Sequence, residues 1–385
     1  MTRRGMGPLA GMKIIEFGGI GPGPFAAMML SDMGADVLRL DRTAPSGLGV
    51  PRAIEHDTTR RGRLSVAVDL KAKGARELVL RLLKDADGLI EGFRPGVMER
   101  LGLGPADVHA VNPRLVYGRM TGWGQTGPLA PAVGHDINYL AISGALSMIG
   151  RQGQPPAIPL NLVADLGGGA LYLVVGMLAA LHSARSTGKG QVVDAAIVDG
   201  ISSLLTTYYG YHAAGTWRHR LESNVIDGGA PWYNVYETKD RKYVSVGAVE
   251  GKFYKDLLKG MGLADADLPD QYDRDSWPAM KVRFAEVFAT KTREEWDAEM
   301  EGLDACYAPV LSLPEAMTHP HNVARGMVRD VNGIDHPAPA PRFDVTPADI
   351  KGPPRPEGAD TDAGLDAWGV SAEEREALRQ AGVIG

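Results

Sequence analysis

The chain of 385 residues has one cysteine, Cys306. It therefore closes no disulfide within itself and carries neither a CxxC redox pair nor cysteine-rich zinc spacing. It lacks a basic excess: 41 Lys and Arg stand against 47 Asp and Glu, a net charge of −6. A nucleic-acid surface needs clustered cations, so no nucleic-acid partner is expected. Long hydrophobic runs are missing as well. The most apolar stretch, Ala170 to Leu181, falls short of the roughly eighteen residues of a membrane span and reads as a buried helix. Thr2-Arg3-Arg4 is basic, but Gly, Pro and Lys interrupt Gly5 to Lys13, where a signal peptide needs an unbroken apolar core. The last residues, Val383-Ile384-Gly385, do not form a peroxisomal tripeptide. These absences set the expectation of a cytoplasmic protein with no membrane partner and no metal.

The first two hundred residues alternate short apolar strands with helices. Met12 to Phe17, Ala35 to Asp41, Arg63 to Leu70, Gly88 to Glu91 and Leu115 to Met120 read as strands. Phe25 to Met33 and Gly74 to Lys84 read as helices between them. Such alternation predicts βαβ units and a parallel sheet. A different grammar begins near residue 230. Tyr233 to Glu237 and Lys242 to Val246, joined by a polar turn, predict an antiparallel hairpin. Helices at Gly251 to Met261, Met280 to Ala289 and Thr292 to Glu301, with a strand at Ala305 to Leu311, complete a smaller α+β lobe. The proline-dense stretch from Pro337 to Pro356 predicts an extended segment. Ser371, with Glu374 three residues on, predicts a capped helix in the tail. No internal repeat is visible.

Gly19-Ile20-Gly21-Pro22-Gly23 follows a strand and opens a helix, with Asp41 closing the next strand. This approaches the dinucleotide fingerprint, but the third glycine position is Pro24, and Pro22 and Pro24 lack the N–H groups a pyrophosphate would use. A tight turn beside a substrate pocket is expected instead of an NAD site. Cations recur after successive strands: Arg42, the group Arg60, Arg61 and Arg63, then Lys71, Arg94 and Arg100. Arginine forks match phosphate geometry, so such a row suits a ligand with several phosphates, such as coenzyme A. Solvated helix faces carry arginines too, and the row by itself is not specific.

Four blocks carry a family resemblance: Gly19 to Ala26, Glu91-Gly92-Phe93-Arg94-Pro95-Gly96-Val97, Gly134-His135-Asp136-Ile137-Asn138-Tyr139, and Leu160 to Gly169 with Asp165 inside it. Gly188 to Asp194, Asp227 to Pro231, Val246 to Glu250 and Gln380 to Ile384 extend it in collinear order over nearly the whole chain. The chain resembles the α-methylacyl-CoA racemase branch of the family III CoA-transferase (CaiB/BaiF-type) superfamily. The resemblance implies an α/β fold with a Rossmann-like parallel-sheet large domain, a smaller α+β domain, and an interlocked homodimer. It places the N-terminal part of the large domain at residues 1–200, a linker helix at 201–229, the small domain at 230–330, and a return segment at 331–385 that completes the large domain.

A thioester carbonyl acidifies the neighbouring α-hydrogen, because its removal leaves an enolate. Inverting that carbon needs a proton taken from one face and one delivered to the other, by two groups of opposite protonation state. The resemblance assigns these parts to His135 and Asp165, and to Glu250 the orientation of the histidine. It implies substrate contacts from Arg42, from Val68, Asp69, Leu70 and Lys71, from Gly92, Phe93, Arg94 and Arg100, and from Gly134, Asp136, Ile137, Asn138 and Tyr139. Coenzyme A enters as part of an acyl-CoA substrate, so no separate cofactor is expected. Read without the resemblance, His135 is a structural histidine, Asp165 an N-cap of the following apolar helix, and Glu250 a helix-starting acid. Enolate donors are open between the amides near Gly134 to Asp136 and those of Gly167 to Gly169. Ala195 to Trp217 is apolar and free of methionine, a platform for an acyl tail or a core helix. Two other readings share the scaffold: a CoA-transferase with Asp165 as nucleophile, and a CoA-binding protein without catalysis. The His135 block favours the racemase.

Overall fold

The computed structural model describes residues 7–44, 47 and 49–385; the basic start Thr2-Arg3-Arg4 and Gly5 lie outside them. The chain forms two compact units. The first comprises Met1–Ser143, Leu160–Leu204 and Gly326–Gly385, and the second Gly144–Pro159 and Leu205–Arg325. The second unit thus begins at 205 rather than near 230 and takes in 144–159 as well. Where one linker helix was expected at 201–229, the chain has the helices Ile197–Leu204 and Thr206–Ala213.

A six-stranded parallel sheet organises the first unit. Its strands are β1 (Lys13–Phe17), β2 (Asp36–Asp41), β3 (Leu64–Ala67), β4 (Gly88–Glu91), β5 (Val116–Thr121) and β6 (Val192–Ala196), in the order β3-β2-β1-β4-β5-β6. The central strands are buried along their length, with Ile14, Ile15, Leu38 and Leu89 sealed from solvent, as parallel strands covered on both faces require. The helix Ala75–Lys84 turns Leu78, Val79, Leu82 and Leu83 into this core. The return segment joins the same unit. Asp360 accepts the Ser65 N–H at 3.1 Å, Thr361 Oγ1 accepts the Ala67 N–H at 3.1 Å, and Ile384 bridges Val68. These contacts satisfy the outer edge of β3, which would otherwise present unpaired backbone.

Three features depart from expectation here. Strand β6 completes the sheet, and a short hairpin of β10 (Val328–Val331) and β11 (Ile334–Pro337) precedes the proline-rich stretch. The apolar helix also starts earlier than Ala170. Leu162–Leu171 is wound as π-helix and continues into the α-helix Tyr172–Thr187. This run, Leu162–Thr187, is long and apolar enough to cross a membrane by length and composition. Leu173, Val174, Met177, Ala180, Leu181 and Ala184 along it are buried. Its close partner is the helix Ile197–Leu204: a Cβ on Gly200 would lie 1.8 Å from the Gly168 carbonyl oxygen, so only glycine lets the two backbones meet.

In the second unit, β7 (Tyr233–Glu237), β8 (Tyr243–Gly247) and β9 (Tyr307–Val310) form an antiparallel sheet in that order. The predicted hairpin is present, with Tyr236 opposite Val244. Trp232, Trp296, Phe284 and Phe288 fill the core beside it. The helices Gly251–Gly260, Trp277–Phe288 and Arg293–Met300 fall where helical spacing placed them. In the first unit's tail, Ser371 Oγ accepts the Glu374 N–H at 3.2 Å and opens the helix Ala372–Gln380.

Candidate active site

An open parallel sheet binds ligands beyond the carboxyl ends of its strands, where the strand order reverses. Here that place follows β1. A cavity of about 660 Å³ lies there, within the first unit. It is lined by the loop Gly18 to Gly21, by Arg39, Asp41 and Arg42 at the end of β2, by Arg52, Asp57 and Arg60 on the next loop, and by Asn161, Asp165 and Glu357. The glycine loop is therefore a pocket wall. Gly21 has φ +71°, and a Cβ there would stand 3.4 Å from Asp165 Oδ2. Glycine lets the loop pass directly beside that carboxyl.

Asp165 is not the N-cap of its helix. Asn161 takes that position, and Asp165 sits four residues inside. The capping group comes from elsewhere: Asp136 Oδ2 accepts the Asp165 N–H at 2.8 Å. Asp136 opens the helix Asp136–Ser143, directly after His135. The two expected blocks are thereby tied by one hydrogen bond. Burial pushes the Asp165 carboxyl up to about 6, the negative charge of Asp136 pushes the same way, and His135 opposes them. Burial also raises Asp136, against the pull of the Asp165 and Ala164 amides.

The remainder of the His135 block is braced locally. The His135 N–H donates to Asn138 Oδ1 at 3.0 Å, and the His135 carbonyl accepts from Asn138 N–H at 2.8 Å. Tyr139 is buried, donates its hydroxyl to the Gly134 carbonyl and meets Trp123 edge-on at 4.7 Å. Burial and the charges of Asp165 and Asp136 drive its phenol up to about 12. His135 and Ile137 are exposed. Glu250 belongs to the second unit, at the N-cap of Gly251–Gly260, and its side chain makes no capping hydrogen bond.

The row of cations separates into two kinds. Arg42 is exposed at the cavity, and Arg60 lines it while pairing with Asp57 at 3.3 Å and with Glu357. Arg61 and Arg63, expected among the phosphate-facing cations, are instead buried in ion pairs with Asp32 (2.6 Å) and Glu16 (2.9 Å). A charge sealed from water must be matched by a protein partner, and these two are. Val68 is buried under Ile384, the Asp69 N–H donates to the Val383 carbonyl, and Leu70 packs on the core. Lys71 and Arg94 are exposed, Arg100 ends the short helix Val97–Arg100, and none of them lines the cavity. Phe93 packs edge-on against Phe17 beside Gly92, and its N–H donates to Glu91 Oε2. Burial pushes Glu91 up to about 7 against the pull of that amide and of Arg119, 2.9 Å away.

Sequence reasoning passed over Arg39, Arg52, Asp57 and Glu357 as cavity residues. The polar run Arg52 to Arg60 between two strands was the available signal; Glu357 had none, because the return of the chain brings it there.

The sequence profile of CoA-transferase family III matches residues 9–361. The chain is 42% identical over 368 residues to the mouse α-methylacyl-CoA racemase, covering 95% of this chain and 94% of that one. It is 43% identical over 371 residues to the human α-methylacyl-CoA racemase, with the same coverage. Among solved structures, a CaiB/BaiF family protein from Brucella suis superposes with a TM-score of 0.81 at 25% identity, covering 94% of this chain and all of that one. With a family match across most of its length and full-length relatives well above 30% identity, this chain belongs to CoA-transferase family III.

Proposed function

We propose that this chain interconverts the (2R) and (2S) epimers of 2-methylacyl-CoA thioesters by moving the α-proton through an enolate, with His135 and Asp165 as acid and base. The observation that carries the reading is the Asp165 carboxyl, held at about 6 beside a cavity and tied by its backbone to the residue after His135. An ordinary aspartate would be too weak a base and almost never protonated at neutral pH. At about 6 it can serve in both directions. A neutral imidazole and a carboxylic acid on opposite faces of the α-carbon then exchange protonation states in each turnover. The enolate oxygen needs donors. Gly168 and Gly169 are buried inside the Leu162–Leu171 helix, whereas the Asp136 and Ile137 amides at the start of the helix Asp136–Ser143 have no partner within it, and we assign the enolate oxygen to those two. The resemblance gives Glu250 the part of orienting His135. The working protein is a cytoplasmic homodimer that takes coenzyme A only as part of its substrate.

Incubating the protein with one pure epimer of a 2-methylacyl-CoA in deuterium oxide should give α-deuteration together with inversion, with no acceptor acid added. If instead the α-hydrogen stays and CoA passes to an added carboxylic acid, Asp165 is a nucleophile and the transferase reading replaces this one. The cavity cations give a second prediction. Arg42→Ala should weaken binding of the CoA ester about ten-fold or more, the worth of one charge-assisted hydrogen bond. Arg94→Ala tests whether the nucleotide also reaches the end of β4. Unchanged affinity in both variants, by calorimetry, would take phosphate binding away from them.

A further inference from the structure

We propose that Asp136 is a positioning residue for Asp165: its carboxylate, anchored on the amide that carries Asp165, fixes that residue's backbone and sets a second negative charge beside it. The proposal rests on the racemase reading above for what Asp165 does, but its structural part stands alone.

The geometry is a reversed cap. Helix N-terminal amides ordinarily find a side-chain acceptor on the preceding residue. The N-cap residue of this helix, Asn161, makes no such bond. Asp136, 29 residues earlier in the chain, supplies the acceptor instead, at 2.8 Å. A carboxylate near a helix N-terminus is favoured electrostatically, which offsets the cost of placing it close to a second carboxyl. Two acids brought together in this way resist joint ionisation, and the one less well bonded keeps its proton longer. Asp136 spends its oxygens on amides. The charged groups that shift Asp165 are Asp136 and His135; Asp41, Arg42, Asp57, Arg60 and Glu357 line the same cavity, and Tyr139 stands close enough for its phenol to be raised by both aspartates. Burial is the larger cause of the raised Asp165 titration, and Asp136 is the charged group that adds to it. Its side chain touches Asp165 through the backbone and is not required to touch substrate.

Asp136→Asn removes the charge while leaving an oxygen to accept the amide. Loss of a neighbouring negative charge makes Asp165 easier to ionise. For the epimer whose hydrogen faces Asp165, exchange requires the carboxylate, so kcat/KM rises with pH through the Asp165 titration. In the variant that rising limb should move to lower pH, toward the ordinary aspartate range. A merely structural cap would change the height of the profile and leave the limb in place. Asp136→Ser, which also accepts a helix amide, should move the limb in the same direction, and serves if the asparagine variant folds poorly by circular dichroism. Asp136→Ala, with no acceptor, should lower kcat further without moving the limb beyond the other two.

A direct readout separates this proposal from the reading it rests on. Carboxyl ¹³C titration of aspartate-labelled wild type and Asp136→Asn follows Asp165 whether or not turnover occurs. A downward move of the Asp165 titration supports the role given to Asp136. An Asp165 titration that stays where it is in both Asp136→Asn and Asp136→Ser overturns it. Absence of α-exchange by the wild type would count only against the racemase reading.

Discussion

Alanine at either His135 or Asp165 should stop racemisation, with a loss on the order of 10²–10⁴ in rate, the usual contribution of a positioned acid or base. The two variants should fail differently. If the residues serve opposite faces of the α-carbon, each takes the proton from one epimer and returns it to the other. His135→Ala keeps Asp165, so deuterium should still enter, slowly and with retention, the epimer whose hydrogen faces Asp165. Asp165→Ala should show the complementary trace of exchange on the other epimer. Each pure epimer must be assayed separately, because a mixture hides the asymmetry. Near-normal racemisation by either variant would end the two-base assignment. Stability supplies a control specific to this protein. The cap of the Leu162–Leu171 helix is Asp136, not Asp165. Asp165→Ala should therefore cost no capping energy, and it removes a raised carboxyl. Its melting temperature at pH 8 should match or slightly exceed that of wild type, and a lost activity cannot then be ascribed to unfolding.

The contrast between Asp165 and its cap also marks how far the sequence could be read. A helix start is sought at the last Asp, Asn, Ser or Thr before an apolar run, which points to Asp165. The π-helical turns carry the helix back through Leu162, and no local pattern announces them. The central strands were legible because parallel strands buried on both faces are continuous apolar runs. Strand β6 was not, since Val192-Val193-Asp194-Ala195-Ala196 follows Gly-Lys-Gly-Gln and, among the described residues, pairs with β5 alone. The hairpin of β10 and β11 has four residues per strand and ends on Pro337, too short a pattern to stand out against the proline stretch. Arginines posed the harder problem. A cation facing a phosphate and one facing a buried carboxylate look alike in sequence. Arg61 and Arg63 find Asp32 and Glu16 at separations of 29 and 47 residues, and Arg60 finds Glu357 at 297. Asp32 and Glu16 come from the first strand–helix unit, and only Glu357 comes from the return of the chain.

Breaking the Glu16–Arg63 pair should be the most damaging single change outside the site. Glu16 lies in β1 and Arg63 just before β3, with side chains 0% and 1% exposed and Nε to Oε2 at 2.9 Å. Arg63 also donates to Oε1 of Glu16 at 3.4 Å, to the Arg61 carbonyl at 3.0 Å and to the Thr59 carbonyl. Burial pulls the guanidinium below its usual range and the charge of Glu16 opposes this. Glu16→Ala leaves an arginine sealed from water without its counter-charge, at a cost of about 3–5 kcal/mol. Typical domains hold only about 5–15 kcal/mol in total, so urea midpoints should fall steeply. The pair itself need not be strongly stabilising. Desolvating two charges consumes most of what their attraction returns, so Glu16→Leu with Arg63→Met should recover much of the loss. Equal loss in the single and double variants would mean that the pair contributes net stability. The double variant should nonetheless be a poorer enzyme. The Arg63 guanidinium holds the carbonyls of Thr59 and Arg61, the neighbours of Arg60 at the cavity, and methionine cannot donate to either. A fold restored in urea titrations, together with weakened binding of the CoA ester, would separate the part of this arginine in packing the sheet from its part in shaping the cavity.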